Sequence, residues 1–439
     1  MSEAALLTGW GRTAPTRADV LRAATVDDVV TALSDGRPVI ARGLGRAYGD
    51  AAQNGGGLVV DATGLREIHT FEDGVVEAGA GLDLDSLIRH TLPHGWFVPV
   101  TPGTRHVTLG GALAADVHGK NHHVDGAFSR HVEAFELVTP GGAVRQVRPG
   151  EDLFAATAGG MGLTGVITRV RLRLLRVSSA QMRVTTRRAD NLDALMRTMR
   201  ERDSAFRYSV AWIDCLKRGP AMGRGVLLWG DHATAEELPA KLGRDPLANR
   251  TPKRLSVPDV VPPGLLNGAV ARAFNEAYFR RAPAEERISY EGIGPYFHPL
   301  DAVGAWNRLY GPRGFVQYQA LVPADEAVRE LLARLSGTPS FLAVLKRFGE
   351  GTGMLSFPAP GWTLALDIPV GAPDLARRLD ELDEVVAEAG GRVYLAKDAR
   401  VRPELLAKMY PELDRWREIR RSVDPDGLMR SDLSVRLGL

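Results

Sequence analysis

ARGLGRAYGD, residues 41–50, is a glycine-rich segment that directly follows a short apolar strand. Its glycines at 43, 45 and 49 allow backbone N–H groups to approach a pyrophosphate closely. The spacing G-x-G-x-x-x-G differs from the dinucleotide-binding fingerprint, and the DAAQNGGG that follows cannot open a helix. The sequence therefore excludes the Rossmann mode of nucleotide binding, while this loop alone fits either a phosphate site or a tight turn.

Two more loops of small residues follow along the chain. TPGTRHVTLGGALAADVHGKN, residues 101–121, mixes small residues with hydroxyls and ends in Asp116, His118, Lys120 and Asn121. GGMGLTG, residues 159–165, leads into a strand. Three such loops on short strands predict a site for a ligand as long as FAD, threaded between two small subdomains.

Short strands and few helices characterise the first part of the chain. TVDDVVTALS, residues 25–34, has the pattern of an amphipathic helix with Thr25 as its N-cap. VITRVRLRL, residues 166–174, alternates apolar residues with arginines, which predicts a strand with one solvated face. Further strands are predicted at Val39–Ala41, Leu58–Asp61, Val75–Ala78, Ala134–Thr139 and Val144–Val147. This pattern predicts an α+β fold rather than a doubly wound sheet.

Longer helices appear beyond about Arg176, which we interpret as a second domain. Helices are predicted at Leu192–Arg202, Ala324–Leu335 and Leu375–Glu388, and strands at Phe315–Val322, Thr363–Ile368 and Arg392–Leu395. The stretch near 250–287 is rich in proline, arginine and apolar residues, which is typical of a mobile insertion.

Composition limits the classes of function. The 439 residues carry 55 basic and 53 acidic side chains, a formal net charge of +2 that gives no reason to expect nucleic acid as a partner. Cys215 is the sole cysteine, which excludes intramolecular disulfides and cysteine-rich metal sites. His118 and His122 do not predict a metal site, because Gly119 and Asn121 favour a loop there. We expect neither a signal peptide nor a transmembrane segment, and a location in the cytoplasm or peripheral to the inner membrane.

Several motifs together resemble one enzyme family. Beside the loops at 41–59 and 102–123, they are TGWGRTAP (8–15), YFHPLD (296–301), FVQYQ (315–319), FPAPGW (357–362) and YLAKDAR (394–400). The three loops are similar to those of the vanillyl-alcohol oxidase superfamily of flavoproteins. Within it, the chain resembles the decaprenylphosphoryl-ribose 2-oxidase family of actinobacterial cell-envelope biosynthesis along nearly its whole length.

The resemblance implies a two-domain α+β flavoprotein. Residues 1–176 would form the FAD-binding domain, 177–390 a substrate domain with an antiparallel sheet and helices, and 391–439 a segment returning to the FAD-binding domain. FAD would be held non-covalently. The implied reaction oxidises the C2 hydroxyl of a sugar, possibly linked to a lipid phosphate, to a ketone by hydride transfer to flavin N5. A separate reductase would complete an epimerisation, and the protein would make peripheral membrane contact.

The resemblance also assigns site residues. Contacts to FAD are expected from Arg42, Gly43, Leu44, Gly45, Arg46, Ala47, Tyr48, Gly49, Asp50, Gly103, Thr104, Thr108, Gly110, Gly111, Ala115, Asp116, His118, Gly162, Ile167 and Tyr394. The substrate is expected to contact Trp212, Tyr296, Gln317, Gln319, Lys346, Thr363, Ala365 and Asp367. Catalytic roles are expected for Lys397, His118, Lys120 and Tyr48, with Lys397 first because burial can lower the pKa of an amine into the range of an acid–base group. Lys120 or Lys346 can hold a phosphate or stabilise the reduced flavin.

Two departures from the family bear on its chemistry. Arg46 stands where many members of the superfamily carry the histidine that is linked covalently to the flavin. Thr363 and Ala365 replace the asparagine and cysteine of the mycobacterial members, which leaves the choice of sugar open. For Tyr394 and Lys397 to face the same ligand, a turn or bulge is needed after Leu395, because residues three apart on a strand face opposite ways.

Simpler interpretations remain for single residues and for the whole protein. Without the resemblance, Lys397 reads as a surface lysine paired with Asp398, and Trp212 and Tyr296 read as core aromatics. Two other functions fit the same motifs. One is oxidation of a soluble glycoside or polyol in specialised metabolism, and the other is a non-catalytic or electron-transfer flavoprotein.

Overall fold

The computed structural model describes residues 2–249, 255–258, 267–372 and 374–439. Its strands are β1 Glu3–Leu7, β2 Thr16–Arg22, β3 Val39–Arg42, β4 Leu58–Asp61, β5 Ile68–Glu72, β6 Val75–Gly79, β7 Trp96–Phe97, β8 Val132–Val138, β9 Val144–Val147, β10 Val166–Arg173, β11 Leu175–Arg176, β12 Gln181–Ala189, β13 Tyr208–Ile213, β14 Gly225–His232, β15 Leu255–Ser256, β16 Arg287–Gly292, β17 Val303–Gly304, β18 Phe315–Val322, β19 Ala343–Phe348, β20 Gly361–Pro369 and β21 Arg392–Val393. Its helices are α1 Val26–Leu33, α2 Leu84–Thr91, α3 Leu109–Ala114, α4 His122–Asp125, α5 Asp152–Thr157, α6 Leu192–Arg202, α7 Ala240–Gly243, α8 Gly268–Arg281, α9 Ile293–Phe297, α10 Asp325–Leu335, α11 Leu375–Glu388, α12 Pro403–Met409, α13 Leu413–Val423 and α14 Asp432–Leu437.

A four-stranded mixed sheet opens the fold, in the order β1-β2-β4-β3. Strand β4 runs parallel to both β2 and β3. Val39 and Ile40 of β3 and the three apolar residues of β4 are buried, as expected of strands covered on both faces. Helix α1 carries the predicted cap, since Thr25 and Asp28 form a capping box that satisfies N–H groups at the helix start. This sheet places the glycine-rich segment 41–50 at the end of β3.

A five-stranded antiparallel sheet follows, in the order β5-β6-β10-β8-β9. In its central strand β10, Val166, Val170 and Leu172 are buried, whereas Arg169 and Arg171 are partly exposed and pair with Glu77. The predicted strand with one solvated face is therefore confirmed. The loop 159–165 leads directly into β10 and thus reaches the same end of the molecule as the loop after β3.

An eight-stranded antiparallel sheet dominates the second half, in the order β16-β12-β14-β13-β19-β20-β18-β21. Helices α6, α10 and α11 pack on one face of it, and their buried leucines join the largest core. The register aligns Trp212, Val344, Ala365 and Gln319 in one row across β13, β19, β20 and β18. Because residues opposite one another share a face, this row lies on the face that the three helices leave open. Separate mixed and antiparallel sheets confirm the predicted two-part α+β architecture.

The last residues of the chain return to the first sheet. Residue Met429 bridges Val39 in parallel, which extends the sheet beyond β3. In α14, Arg436 donates two hydrogen bonds of 3.0 Å to Asp50 and one of 2.9 Å to Asp398. These contacts tie the chain end to the glycine-rich segment and to the segment that carries Lys397.

The predicted insertion near 250–287 is described only in part, since residues 250–254 and 259–266 lie outside the described residues. Residues 268–281 form α8. Its Asn275 is buried and donates a 2.8 Å hydrogen bond to Asp214, so this part of the stretch is anchored to the second domain. Among the helices of the described ranges, none is both long enough and apolar enough to cross a membrane.

Candidate active site

A cavity of about 580 Å³ lies between the first two sheets and the open face of the eight-stranded sheet. All three predicted loops contribute to its wall, the first through residues 41–48, the second through most of residues 101–120 and the third through Met161, Gly162 and Gly165. The opposite wall is formed by the row Trp212, Val344, Ala365 and Gln319. Loops that are far apart in the chain therefore lie opposite one face of the eight-stranded sheet, and the cavity lies between them.

Arg42 anchors the first loop by hydrogen bonds to backbone carbonyl groups. The Arg42 guanidinium donates to the carbonyl oxygens of Thr8 (2.7 Å) and Ala52 (2.9 Å). Gly45 has φ +62°, and a Cβ there would lie 2.3 Å from Arg42 Nη2. A Cβ at Gly49 would lie 1.8 Å from the carbonyl oxygen of Asp398. Glycine is therefore needed at these two positions for close packing within the chain. The sequence had indicated a different reason, the close approach of the backbone to a pyrophosphate.

The second loop packs directly against the first. Thr108 caps α3 by accepting from Gly111 N at 3.2 Å, and a Cβ at Gly43 would lie 2.3 Å from the Thr108 hydroxyl. Gly103 lines the cavity, and a Cβ there would meet no atom within 4 Å. Its backbone thus faces open cavity space, as does a row of alanines at 47, 80, 114 and 115. A cavity lined by such small residues fits a long ligand that contains a pyrophosphate, such as the FAD that the resemblance implies.

Three lysines project into the cavity, and burial lowers the pKa of each. The pKa falls to about 7 for Lys397 and Lys120 and to about 8 for Lys346. Nζ of Lys120 donates to the carbonyl oxygen of Tyr296 and lies 4.0 Å from the centroid of its ring. Amines with such pKa values exchange a proton readily near neutral pH.

Lys397 lies on a turn rather than on a strand. Strand β21 ends at Val393, and Lys397 N donates to Tyr394 O at 2.9 Å, which closes the turn that the sequence required after Leu395. The predicted strand to Leu395 is thus two residues too long. The turn places Nζ 3.7 Å from the centroid of the Tyr48 ring, and both residues line the cavity. The interpretation of Lys397 as a surface lysine is wrong.

Asp367 is the acidic partner of this region. Its carboxylate accepts from Gln317 Nε2 at 2.5 Å and from the Tyr310 hydroxyl at 3.4 Å. Burial raises the pKa of Asp367 to about 6, while the charge of Lys397 opposes that rise. Gln317 also donates to the Tyr48 hydroxyl at 3.3 Å. The carboxylate therefore influences the cavity indirectly: it orients Gln317 by a hydrogen bond, and it attracts the charged form of Lys397.

His118 is enclosed by aromatic rings. The ring centroids of Phe348, Tyr394 and Phe357 lie 4.8, 5.1 and 5.5 Å from that of His118. Burial, and then the positive charge of Lys346, hold the pKa of His118 well below its usual range. His118 is therefore neutral at ordinary pH. Tyr394 is fixed in turn by donating its hydroxyl proton to Ala115 O at 2.8 Å.

The structure places five predicted contact residues outside the cavity wall. Gly49 packs on Asp398, and Asp50 is paired with Arg436. Asp116 accepts from Ser129 N and from the hydroxyls of Thr352 and Ser356, which turns it away from the cavity. Thr363 lies behind Gln319, and Asp367 lies behind Gln317. All the other predicted site residues line the cavity.

Sequence reasoning missed several residues of the wall. Trp10 lines the cavity and stacks under Arg46, whose Cζ is 3.9 Å from the ring centroid. Its signal was available, since it lies in the TGWGRTAP motif. Tyr278 and Glu291 also line the cavity, from α8 and β16. Neither belongs to a motif. Each reaches the cavity only through the pairing and packing of elements that are distant in the chain, so no local sequence signal marks it.

Comparison with known proteins agrees with this geometry. Residues 18–148 match the FAD binding domain family, and residues 372–437 match the D-arabinono-1,4-lactone oxidase family. The chain is 44% identical over 450 residues to decaprenylphosphoryl-beta-D-ribose oxidase of Mycolicibacterium smegmatis, covering 99% of this chain and 97% of that protein. It is also 44% identical over 372 residues to an uncharacterized protein of Streptomyces coelicolor, covering 82% of this chain and 100% of that one. An alditol oxidase from a Streptomyces species is 30% identical over 99 residues, covering 23% of this chain and 24% of that one.

The match to the mycobacterial enzyme runs along nearly the whole length of both proteins, and the glycine-lined cavity fits the cofactor that the domain match indicates. The chain therefore belongs to the decaprenylphosphoryl-β-D-ribose oxidase family, and it is an FAD-dependent oxidoreductase.

Proposed function

We propose that the protein oxidises the C2 hydroxyl of a polyprenylphosphoryl-ribose-like sugar to a ketone, which a separate reductase then reduces to complete an epimerisation. The observation that carries the proposal is Lys397, an amine with a pKa of about 7 that lies over Tyr48 in a cavity lined by three glycine-rich loops. The name of the mycobacterial relative supports the sugar and its lipid link. The reductase and a peripheral membrane contact follow from that substrate class.

Oxidation of a secondary alcohol removes a hydride from carbon and a proton from oxygen. When bound, FAD supplies the hydride acceptor. The neutral amine of Lys397 accepts the hydroxyl proton, which an amine of pKa near 7 does efficiently. Tyr48 and Gln317 fix the position of the amine and its neighbouring carboxylate. Lys120 and Lys346 supply positive charge to anionic groups of the bound molecules.

In this proposal the two domains have separate roles. Residues 1–176 with 391–439 hold FAD, and residues 177–390 bind the sugar. The loops 42–48 and 103–111 would hold the pyrophosphate by backbone N–H groups, and the small residues Ala115 and Gly162 would leave room for the rest of the cofactor. Arg436 joins the C-terminal helix to Asp50 and Asp398, and so keeps the loop and the Lys397 turn together.

The lipid end of the substrate leaves the cavity beside α8. Tyr278 lines the cavity and is 37% exposed, so the cavity reaches the surface there. Phe274 and Val270 precede it at four-residue spacing on the same helix and are 45% and 46% exposed. An apolar surface at the cavity mouth suits a polyprenyl chain and contact with a membrane surface.

Anaerobic reduction of the FAD-loaded enzyme by a panel of sugars tests the proposal. We expect a short-chain polyprenylphosphoryl riboside to bleach the flavin absorbance, and free ribosides to do so much more slowly. A 2-deoxy analogue of the riboside must leave the flavin oxidised, because it lacks the hydroxyl that reacts. Fast reduction by a free polyol, with none by the phosphoryl riboside, would instead support the soluble-substrate alternative that the alditol oxidase match favours.

Acid or heat should release all FAD from the protein. Arg46 stacks on Trp10, and the resemblance puts it at the place of the histidine to which flavin is linked in other members of the superfamily. The sole cysteine, Cys215, is buried in the core and does not line the cavity. After precipitation with trichloroacetic acid, flavin fluorescence is expected in the supernatant. Fluorescence that migrates with the denatured chain on a gel would contradict a non-covalent link.

Thiol-directed covalent reagents that fit the cavity should not modify the wild-type enzyme. Ala365 lies in the cavity wall, at a position where the resemblance implies a cysteine in the mycobacterial members, and burial raises the pKa of Cys215 to about 12. Ala365→Cys should give one adduct per chain by intact mass spectrometry, located on residue 365 by peptide mapping. A stoichiometric adduct on the wild-type protein, or none on the variant, would show that residue 365 does not face the ligand space.

A further inference from the structure

The cavity wall contains a carboxylate that no protein group engages directly. In the described ranges two acidic side chains line the cavity, Asp301 and Glu291. Asp301 accepts hydrogen bonds from the Thr104 hydroxyl at 2.7 Å and from Arg105 N at 2.9 Å. The carboxylate of Glu291 has neither a hydrogen bond nor an ion pair with any residue that the structure describes, and its side chain is partly exposed. Glu291 therefore presents an unpaired acidic group.

Strand register turns the Glu291 side chain toward the cavity. Glu291 on β16 lies opposite Met182 on β12, and Met182 lies opposite His232 on β14. His232 comes four residues after Leu228 on the same strand, and side chains an even number of residues apart share a face. Leu228 lines the cavity. The unpaired carboxylate thus stands on the cavity face of the sheet.

The amine of Lys120 lies in surroundings that suit a positive charge. Its Nζ donates a hydrogen bond to the carbonyl oxygen of Tyr296 and lies 4.0 Å from the centroid of the Tyr296 ring. A carbonyl oxygen and the face of an aromatic ring both favour an ammonium group over a neutral amine. An ammonium group has three N–H donors, so two remain for a molecule in the cavity.

Glu291 supplies the counter-charge for this amine. Burial lowers the pKa of Lys120 to about 7, while the charge of Glu291 raises it and that of Lys346 lowers it. Burial in turn raises the pKa of Glu291, and the charge of Lys120 opposes that rise. The neighbouring hydroxyls of Tyr278 and Tyr296 remain neutral, because burial raises the pKa of both. Among the described residues, Glu291 is thus the acidic group that favours charged Lys120.

Both side chains lie on the side of the cavity away from Lys397. Strand β16 is one edge of the eight-stranded sheet, whereas Lys397 follows β21, the opposite edge. Burial, and then the charge of Glu291, raise the pKa of Tyr278, which is exposed at the cavity mouth. A substrate whose sugar meets Lys397 and whose lipid leaves past Tyr278 therefore carries its phosphate toward Lys120.

We infer that Glu291 is a positioning residue that keeps the Lys120 amine protonated, so that Lys120 can bind the phosphate of the substrate. The inference deepens the proposed function and rests on it for the identity of the phosphoryl sugar. Glu291 makes no direct ion pair with Lys120, so it favours the charge from a distance and leaves two N–H donors free for the phosphate.

The pH dependence of substrate affinity tests the inference. Anaerobic flavin reduction by a short-chain polyprenylphosphoryl riboside is followed from about pH 6 to about pH 9, where this phosphodiester keeps one negative charge. In the wild type, the half-saturating riboside concentration should rise with pH through about 7, because Lys120 loses its charge. In Glu291→Gln the rise should begin at lower pH, and at about pH 8 that concentration should be about 5-fold or more above wild type. The limiting rate should stay within about 2-fold, since the change affects binding.

Two controls separate this role from a structural one. Glu285→Gln alters an exposed glutamate just before β16 and should match the wild type at every pH. A riboside without phosphate should be bound equally by wild type and Glu291→Gln, because it offers no anion to Lys120. A loss in Glu291→Gln that is the same at every pH and for both ribosides would overturn the inference, as would an unchanged profile for the phosphoryl riboside.

A double variant tests whether Glu291 acts through Lys120. In Lys120→Arg the side chain is charged at every pH without help from a carboxylate. Adding Glu291→Gln to Lys120→Arg should therefore not weaken binding of the phosphoryl riboside, and an equal loss in both backgrounds would overturn the inference. If Glu291→Gln does not fold, Glu291→Asp, whose carboxylate is one methylene farther away, should give a smaller shift in the same direction, and no shift would overturn it.

Failure of the proposed function would have a different signature. A wild-type enzyme that no riboside reduces would contradict the proposed reaction. Dimethyl phosphate, an anion of the same charge, then serves as the probe through its effect on the flavin absorbance spectrum. Binding of this probe that weakens through about pH 7, and does so at lower pH in Glu291→Gln, would support the role of Glu291, and binding independent of Glu291 would overturn it.

Discussion

Replacing Lys397 with alanine is expected to slow flavin reduction by the sugar by roughly 10²-fold or more, the size typical of a positioned acid–base group. The structure gives the reason. Nζ lies over Tyr48 in the cavity, and burial brings its pKa to about 7, so this amine can take the hydroxyl proton as the hydride leaves. Among the described residues, no other cationic side chain lies over the Tyr48 ring.

Stopped-flow reduction under anaerobic conditions measures this effect directly. FAD content and the melting temperature should change little in Lys397→Ala, because the side chain faces the cavity. Lys408→Ala, at an exposed position on α12, is the matched control and should reduce at the wild-type rate. If Lys397→Ala stays within a few-fold of wild type, the catalytic role passes to Lys120 or His118.

The pH profile gives an independent signature of the same amine. Only the neutral amine accepts a proton, so the reduction rate should rise with pH through about 7 and then level off. Asp367 attracts the charged form of Lys397, while Lys346 repels it, so the rise belongs to this group of charges rather than to one residue. Tyr48, which also faces the amine, has its pKa raised by burial and stays neutral over this range. Lys397→Ala should lose the rise, and a rate that falls through pH 7 in the wild type would contradict the role as base.

For residues on recognisable motifs, a place in the cavity could be predicted from the sequence. The loops 41–50 and 101–121 and the YLAKDAR segment all reach the cavity, and even the turn that brings Lys397 beside Tyr394 follows from strand geometry. These predictions succeed because each depends on local chain geometry or on a pattern of several neighbouring residues.

Residues whose place depends on sheet register were predicted less well. Thr363 and Asp367 lie on the same strand as Ala365, yet only Ala365 lines the cavity, because Gln319 and Gln317 of the neighbouring strand cover the other two. Glu291 reaches the wall through pairing of β16 with β12, a contact across more than a hundred residues of chain. Pairings of this kind are set by packing of the whole sheet and leave no local signal in the sequence.

Gly49→Val is expected to yield protein without bound FAD, or protein that aggregates. A Cβ at Gly49 would lie 1.8 Å from the carbonyl oxygen of Asp398 and 3.0 Å from Ala399 Cα, both backbone atoms. Asp398 cannot retreat, because its carboxylate is bound by Arg436 and by the backbone N–H groups of residues 400 and 401. The loop must therefore move away from the turn that carries Lys397, and the cofactor and the amine lose their common support.

A substitution at Gly45 is expected to act through a different contact, so alanine variants at the two positions can be compared. At Gly45 a Cβ would meet the Arg42 guanidinium, a side-chain group that would have to shift from its hydrogen bonds to Thr8 and Ala52, and the positive φ of +62° adds about 1 kcal/mol for alanine. Gly45→Ala should therefore fold and keep part of its FAD, whereas Gly49→Ala should lose several kcal/mol, as expected for overpacking against fixed backbone. Gly243→Ala, where the nearest atom is 3.8 Å away, is the control and should match the wild type. Absorbance at 450 nm per chain and the urea midpoint measure both effects, and equal losses at positions 45 and 49 would show that the contact with Asp398 does not set the limit.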